Sequence, residues 1–292
     1  MKIVNTSTSD GITFKGLLSE PAKKSKRIVI HIHGIASSFY FNDFYQEMHN
    51  KYSENGIAFL VGQNRGSNAV QQFLSTEGIK TIGNAYELFE DCVKDIQSWI
   101  DFAKSLGYEE IWLQGHSLGP SKIVHYLYES SGNDISGLIL ISPSEMNGLV
   151  HDSEGQQDFD ILYPEAKKLV AQGDGRSLLS NLLWGEIILS ANTFLNMFED
   201  GSNASIFNFK RPELGWEKVE SISIPVLAIT GTKDDGIVPV MDPYISMDIL
   251  KDRLKKSPRV STIVLDGADH SFNGYEKIIT STVIEFVKHN EQ

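Results

Sequence analysis

A serine between two glycines, Gly115-His116-Ser117-Leu118-Gly119, is the stretch of this chain best suited to covalent chemistry. The apolar run Ile111-Trp112-Leu113 leads into it and a helical pattern from Ser121 to Glu129 leads out. This context puts Ser117 on a tight strand-to-helix turn, where side chains at the two glycine positions would collide. A helix starting just after Ser117 aims free N–H groups and its positive end at developing negative charge. Pro120, in the first helical turn, forfeits no internal hydrogen bond. A hydroxyl so placed attacks an acyl carbon once a base takes its proton.

Eight histidines compete for the role of base. His270 lies in Asp266-Gly267-Ala268-Asp269-His270, just past the last predicted strand, and in a parallel sheet that loop opens at the same edge as Ser117. His116 adjoins the serine and points away from it. His125 falls mid-helix, and His49, His151 and His289 have no motif around them. The third member, a carboxylate to orient the imidazole, has two adjacent candidates in Gly231-Thr232-Lys233-Asp234-Asp235-Gly236. Asp234 is preferred because the strand end fixes its distance from Gly231, and Asp235 is the alternative. His33-Gly34-Ile35 follows a strand ending at Ile32, so the Ile35 N–H can join the Leu118 N–H as the pair of donors to an oxyanion.

These loops need a frame to hold them. Runs at 27–32, 57–61, 111–113, 135–141, 225–230 and 259–265 read as short buried strands, and 3–4 with 12–18 as an N-terminal hairpin. Helical patterns occupy 41–52, 84–106, 121–129 and 275–288. The alternation implies an α/β fold with a mostly parallel central sheet covered on both faces. Residues 147–216 break it: a polar stretch is followed by Leu- and Phe-rich helical patterns, too long for a plain connection, which reads as an inserted helical cap. The expected division is a core of 1–146 and 217–292 with a cap over 147–216. Residues Trp184, Phe194, Phe198, Phe207 and Phe209 are candidate substrate contacts in the cap. His33, Gly34 and His116 are candidates in the core.

With 292 residues, 41% hydrophobic and 22% charged, the composition is that of a globular protein. The formal net charge of −12 argues against nucleic acid and anionic membranes as partners. The single cysteine, Cys92, allows no internal disulfide or zinc cluster and reads as a buried thiol. The first ten residues lack an apolar signal region, and the most apolar later stretch, 178–198, is too interrupted to span a membrane. The expectation is a cytoplasmic protein without metal or organic cofactor, acting on a small molecule; the oligomeric state is left open.

The Gly115–Gly119 elbow, the His33-Gly34 loop, the 231–239 acid loop and the Asp269-His270 loop together resemble the α/β-hydrolase superfamily over nearly the whole chain. The chain order Ser117, Asp234, His270 is the one expected there. The stretch 86–126 and Asn64-Arg65-Gly66 more distantly resemble a branch that includes fungal siderophore esterases. The resemblance implies an eight-stranded sheet with a cap after the sixth strand, and serine as nucleophile implies acyl transfer to water. The expected activity is that of a carboxylic-ester hydrolase, with a large ester or a macrocyclic lactone such as a siderophore or macrolide as the candidate substrate. A thioesterase or amidase, and a non-catalytic ligand-binding module, are the competing readings.

Overall fold

The computed structural model describes residues 1–130, 134–151 and 155–289. The chain opens with the hairpin β1 (Lys2–Ser7) and β2 (Thr13–Ser19), followed by β3 (Arg27–Ile32), α1 (Phe44–Glu54) and β4 (Ala58–Gly62). A two-stranded ribbon comes next, β5 (Gln71–Ser75) and β6 (Gly78–Ile82), then α2 (Cys92–Ser105), β7 (Glu110–His116), α3 (Leu118–Glu129) and β8 (Ile135–Ile141). Helices α4 (Met146–Val150), α5 (Gly155–Ala171), α6 (Ala191–Phe198) and α7 (Glu217–Glu220) precede β9 (Val226–Lys233). The chain closes with α8 (Pro243–Arg253), β10 (Val260–Asp269) and α9 (Glu276–Lys288).

Eight strands form one sheet in the order β1-β2-β4-β3-β7-β8-β9-β10. The β1–β2 and β2–β4 pairs are antiparallel and the rest are parallel. Successive residues of a strand face opposite sides, so Ile28, Ile30 and Ile32 of β3 pack with Ile96, Trp99 and Val124 of α2 and α3. Val29 turns to the other face, where Phe44, Tyr52, Ile279 and Val283 of α1 and α9 cover it. From β3 the chain winds to β4 on one side and then crosses to β7 on the other. At such a reversal the connections leave a crevice at the C-terminal strand ends, and here those ends are the His33-Gly34 loop and Ser117.

Between β8, the sixth strand of the main sheet, and β9, the described residues form helices and isolated bridges but no strand of that sheet. This matches the break in alternation seen from Asn147 onward. The predicted helix 84–106 is shorter: α2 begins at Cys92, with separate 3-10 turns at 84–86 and 89–91. The backbone N–H groups of Asn84 and Ala85 donate to Asn68 and Ala69 carbonyls, and Phe89 N–H donates to the Asn196 side chain. Tertiary partners thus draw this segment away from the helical ladder its apolar spacing suggested. The β5–β6 ribbon left no alternating pattern because both its strands are largely exposed. Helix α8 was missed too, although Pro243 stands in its first turn and the Asp242 side chain caps Tyr244 and Ile245 N–H. Among the described residues no helix is long and apolar enough to cross a membrane.

Candidate active site

Ser117 is the single residue between β7 and α3, and its backbone is strained, with φ 62° and ψ −114°. Such a conformation costs about 1–3 kcal/mol and persists only where the surroundings dictate it. Here the Ser117 N–H is tied to the Ile141 carbonyl at 3.1 Å. The flanking glycines serve close approach: a Cβ at Gly115 would lie 2.4 Å from the backbone of Gly119 and Pro120, and one at Gly119 would lie 2.2 Å from the Ile32 carbonyl. Ser117 lines a cavity of about 590 Å³ together with Gly34, Ile35, His116, Trp184 and His270. That volume is within the range of pockets for small-molecule ligands.

His270 Nδ1 lies 2.6 Å from Asp234 Oδ1, and Asp234 is fully buried. A carboxylate without solvent needs several donors. Oδ1 also accepts from Gly236 N–H at 3.0 Å, while Oδ2 accepts from Thr230 Oγ1 at 2.9 Å and from the Ser142 hydroxyl. Burial alone would push the Asp234 pKa up, but the hydrogen bond and charge of His270 with the two hydroxyls hold it below the ordinary carboxylate value. Burial disfavours a charged His270 ring, and Asp234 outweighs this through the same hydrogen bond and its charge, so the His270 pKa is raised. Asp235 is 3.9 Å from Nδ1 with its side chain 85% exposed. Among the described residues neither Ser117 Oγ nor His270 Nε2 has a hydrogen-bond partner, and both side chains belong to one cavity wall.

His116 locks the loop that carries His270. A carbonyl only accepts, so His116 Nε2–H donates to the His270 backbone oxygen at 2.8 Å. Burial, then the neighbouring His270, lowers the His116 pKa to about 3, so the ring is neutral. It also lines the cavity.

The loop after β3 is arranged as a hydrogen-bond relay. His33 Nδ1–H donates to the Gly34 carbonyl at 3.0 Å and Nε2 accepts from the Ser67 hydroxyl at 2.8 Å, the ring being neutral with a pKa lowered by burial to about 3. The Gly34 carbonyl and the Ile35 N–H belong to one trans peptide, so fixing the first aims the second in the opposite direction. Gly34 packs against the elbow: a Cβ there would lie 2.7 Å from Ser117 Cβ. At the other side, Leu118 is the first residue of α3, where N–H groups lack helical partners.

Two candidate substrate contacts are corrected. His33 is fully buried and not part of the cavity wall, because both ring nitrogens are engaged inside the loop. Phe198 is fully buried against Phe194 and Trp184, so it packs the helical segment and does not line the cavity. Phe194, Phe207 and Phe209 are core residues as well. Trp184, Gly34 and His116 do line it. The sequence reading missed Phe41, Met146, Leu149, Glu186 and Ile187 in the wall, and Ser142 and Thr230 behind Asp234. Thr230 stood at the end of a predicted strand, but nothing in the sequence aimed it at a carboxylate.

Asp234, Asp235 and His270 bring potential metal-ligand atoms within 4.8 Å of one another. The Asp234 hydrogen bond already occupies Nδ1, and the fit is that of a histidine–carboxylate pair. Cys92 is fully buried with its thiol pKa pushed up by burial, as befits a structural thiol.

The strand order, the elbow and the positions of the acid and histidine loops define an α/β-hydrolase fold. Solved structures agree. An esterase of Butyrivibrio proteoclasticus, Est1E with ferulic acid bound, is 18% identical with a TM-score of 0.67, over 98% of each chain. The Pyrococcus furiosus esterase Pf2001 is 17% identical with a TM-score of 0.63, over all of this chain and 91% of that one. A soluble variant of the Saccharomyces cerevisiae monoglyceride lipase is 14% identical with a TM-score of 0.67, over 98% of this chain and 95% of that one. The chain belongs to the family described as protein of unknown function (DUF1749), whose model matches residues 20–289. No curated protein matches it by sequence. None of the relatives named here is a siderophore esterase, so that closer resemblance gains no support.

Proposed function

We propose that this protein hydrolyses carboxylic esters through an acyl-enzyme on Ser117. The observation that carries the reading is the His270–Asp234 pair, 2.6 Å apart, opening onto the cavity that also exposes Ser117. His270 Nε2 takes the Ser117 proton as Oγ bonds to the ester carbon, and the buried Asp234 stabilises the imidazolium. The carbonyl oxygen becomes an oxyanion held by the Ile35 and Leu118 N–H groups. When the tetrahedral species collapses, the C–O bond to the alcohol breaks and His270 returns the proton to the leaving oxygen. Water then loses a proton to His270, adds to the acyl carbon and releases the acid, and Ser117 recovers its proton.

The cavity's chemistry narrows the substrate. Ile35, Phe41, Met146, Leu149 and Trp184 offer apolar surface, and the charged side chains among the described residues of the wall are both acidic, Glu186 and Asp235. A neutral ester with an apolar acyl part fits this lining better than an anionic one. Residues 147–216, which supply Leu149, Trp184 and Ile187 to the wall, act in this reading as a cap on a core of 1–146 and 217–292. The test is labelling by a fluorophosphonate, expected for the parent protein and lost in a folded Ser117→Ala variant. Absence of labelling, with no turnover of p-nitrophenyl butyrate, overturns the reading. Matched ester, thioester, amide and macrocyclic lactone substrates, with product masses, then assign the bond.

A further inference from the structure

The proposed reaction needs the Ile35 N–H held still against Ser117, and the residues that hold it lead from the cavity to a charged pair sealed inside the protein. Beneath His33, the Ser67 hydroxyl accepts from Asn64 N–H at 3.3 Å. The Asn64 side-chain amide donates to the His33 carbonyl at 3.4 Å, and its Oδ1 accepts from Gly66 N–H at 2.9 Å. The same Oδ1 lies 3.5 Å from Lys122 Nζ, which is 2.5 Å from Glu87 Oε1. Lys122 and Glu87 are both fully buried. The 64–67 loop rests directly on the carboxylate, since a Cβ at Gly66 would lie 2.2 Å from Glu87 Oε2.

Lys122 stands one turn beyond Leu118 on the same helix. Its ammonium therefore joins the two backbone segments that carry the oxyanion donors, the loop after β3 and the start of α3. A buried ion pair seldom adds stability over apolar side chains of equal volume, because both charges lose their hydration. Glu87 Oε2, moreover, is buried with no hydrogen-bond partner among the described residues. Stability alone does not account for such a pair.

We propose that Glu87 and Lys122 are positioning residues, which fix the oxyanion loop against the nucleophile helix through Asn64, Ser67 and His33. This rests on the oxyanion role given above to Ile35 and Leu118. The test is the charge-free double variant Glu87→Gln/Lys122→Met, compared with the parent for p-nitrophenyl butyrate hydrolysis, inhibition by phenylboronic acid (a tetrahedral mimic) and amide hydrogen exchange. The expected result is a fall in kcat of about tenfold or more, since loss of an oxyanion donor itself costs about 10²–10³. KM should stay within twofold, boronate affinity should fall in parallel with kcat, and exchange in residues 34–37 should rise about tenfold while α9 is unchanged. A merely structural pair would instead speed exchange in both regions alike. Ser67→Ala and Asn64→Ala, which lie in the relay between His33 and the ion pair, should reproduce the pattern and carry the test if the double variant does not fold. A folded variant with kcat within twofold and unaltered loop exchange overturns the proposal. Should the parent hydrolyse no ester, the hydrolase reading fails, and loop exchange in the variants alone decides the positioning role.

Discussion

Replacing Asp234 and Asp235 one at a time separates two carboxylates that differ in burial more than in distance. Asp234 is fully buried and 2.6 Å from His270 Nδ1, so at an effective dielectric near 20 its attraction for the imidazolium is about 6 kcal/mol. Asp235 is 3.9 Å away and 85% exposed, so water and salt reduce its attraction to at most about 1 kcal/mol. Asp234→Asn removes the charge and turns the acceptor facing Nδ1 into an amide, which permits the wrong tautomer. If Asp234 orients the imidazole as proposed, a drop in kcat of about 10³–10⁴ is expected, the scale of losing a buried triad acid. Asp235→Asn should change kcat on a neutral ester by about fivefold or less. The assay is p-nitrophenyl butyrate hydrolysis between pH 5 and 9, with circular dichroism to establish folding. The reasoning is refuted if folded Asp234→Asn keeps more than a tenth of the parent kcat, or if Asp235→Asn is the more damaging change.

Three further outcomes follow from the same geometry. Because Asp234 raises the His270 pKa and the base must be unprotonated, kcat/KM should rise with pH through a midpoint above the ordinary histidine value of about 6.5, and a midpoint below it would contradict the pairing. Gly34→Ala puts a methyl 2.7 Å from Ser117 Cβ, and the loop must retreat; kcat should fall at least about 10²-fold, the scale of a lost oxyanion donor, with fluorophosphonate labelling slowed in proportion. His116 is held neutral with a pKa of about 3 against about 6.5 unfolded, so its stability contribution, at most about 5 kcal/mol, is complete above pH 6.5 and lost as pH falls toward 3. The urea midpoint should therefore drop between pH 7 and pH 4.5, and drop less in His116→Gln; an equal drop in both would exclude His116 as a source.

The α/β character was legible because a strand buried on both faces is written as a short unbroken apolar run, and Ile28-Val29-Ile30 and Leu138-Ile139-Leu140-Ile141 are such runs. The elbow was legible for a related reason: backbone approaches of about 2.2–2.4 Å to a notional Cβ leave glycine as the only residue that fits at 115 and 119. The 84–91 segment misled because apolar spacing records which side is buried and not which carbonyl takes each N–H. His33 and Phe198 misled because residue type tells that a ring is buried or busy, not which way it faces.

By itself the amino-acid order determined the alternation of strands and helices, the strained turn at Ser117 and the loops from which a base and an acid had to come, since each is set by local sterics and short-range periodicity. Only the tertiary structure shows which of Asp234 and Asp235 lies buried against His270, because neighbours share a loop but not an environment: one carboxylate is enclosed by Ser142, Thr230 and Gly236, the other faces water. It alone, too, joined Glu87 to Lys122 across 35 positions of chain, a pairing that burial enforces and no spacing rule announces.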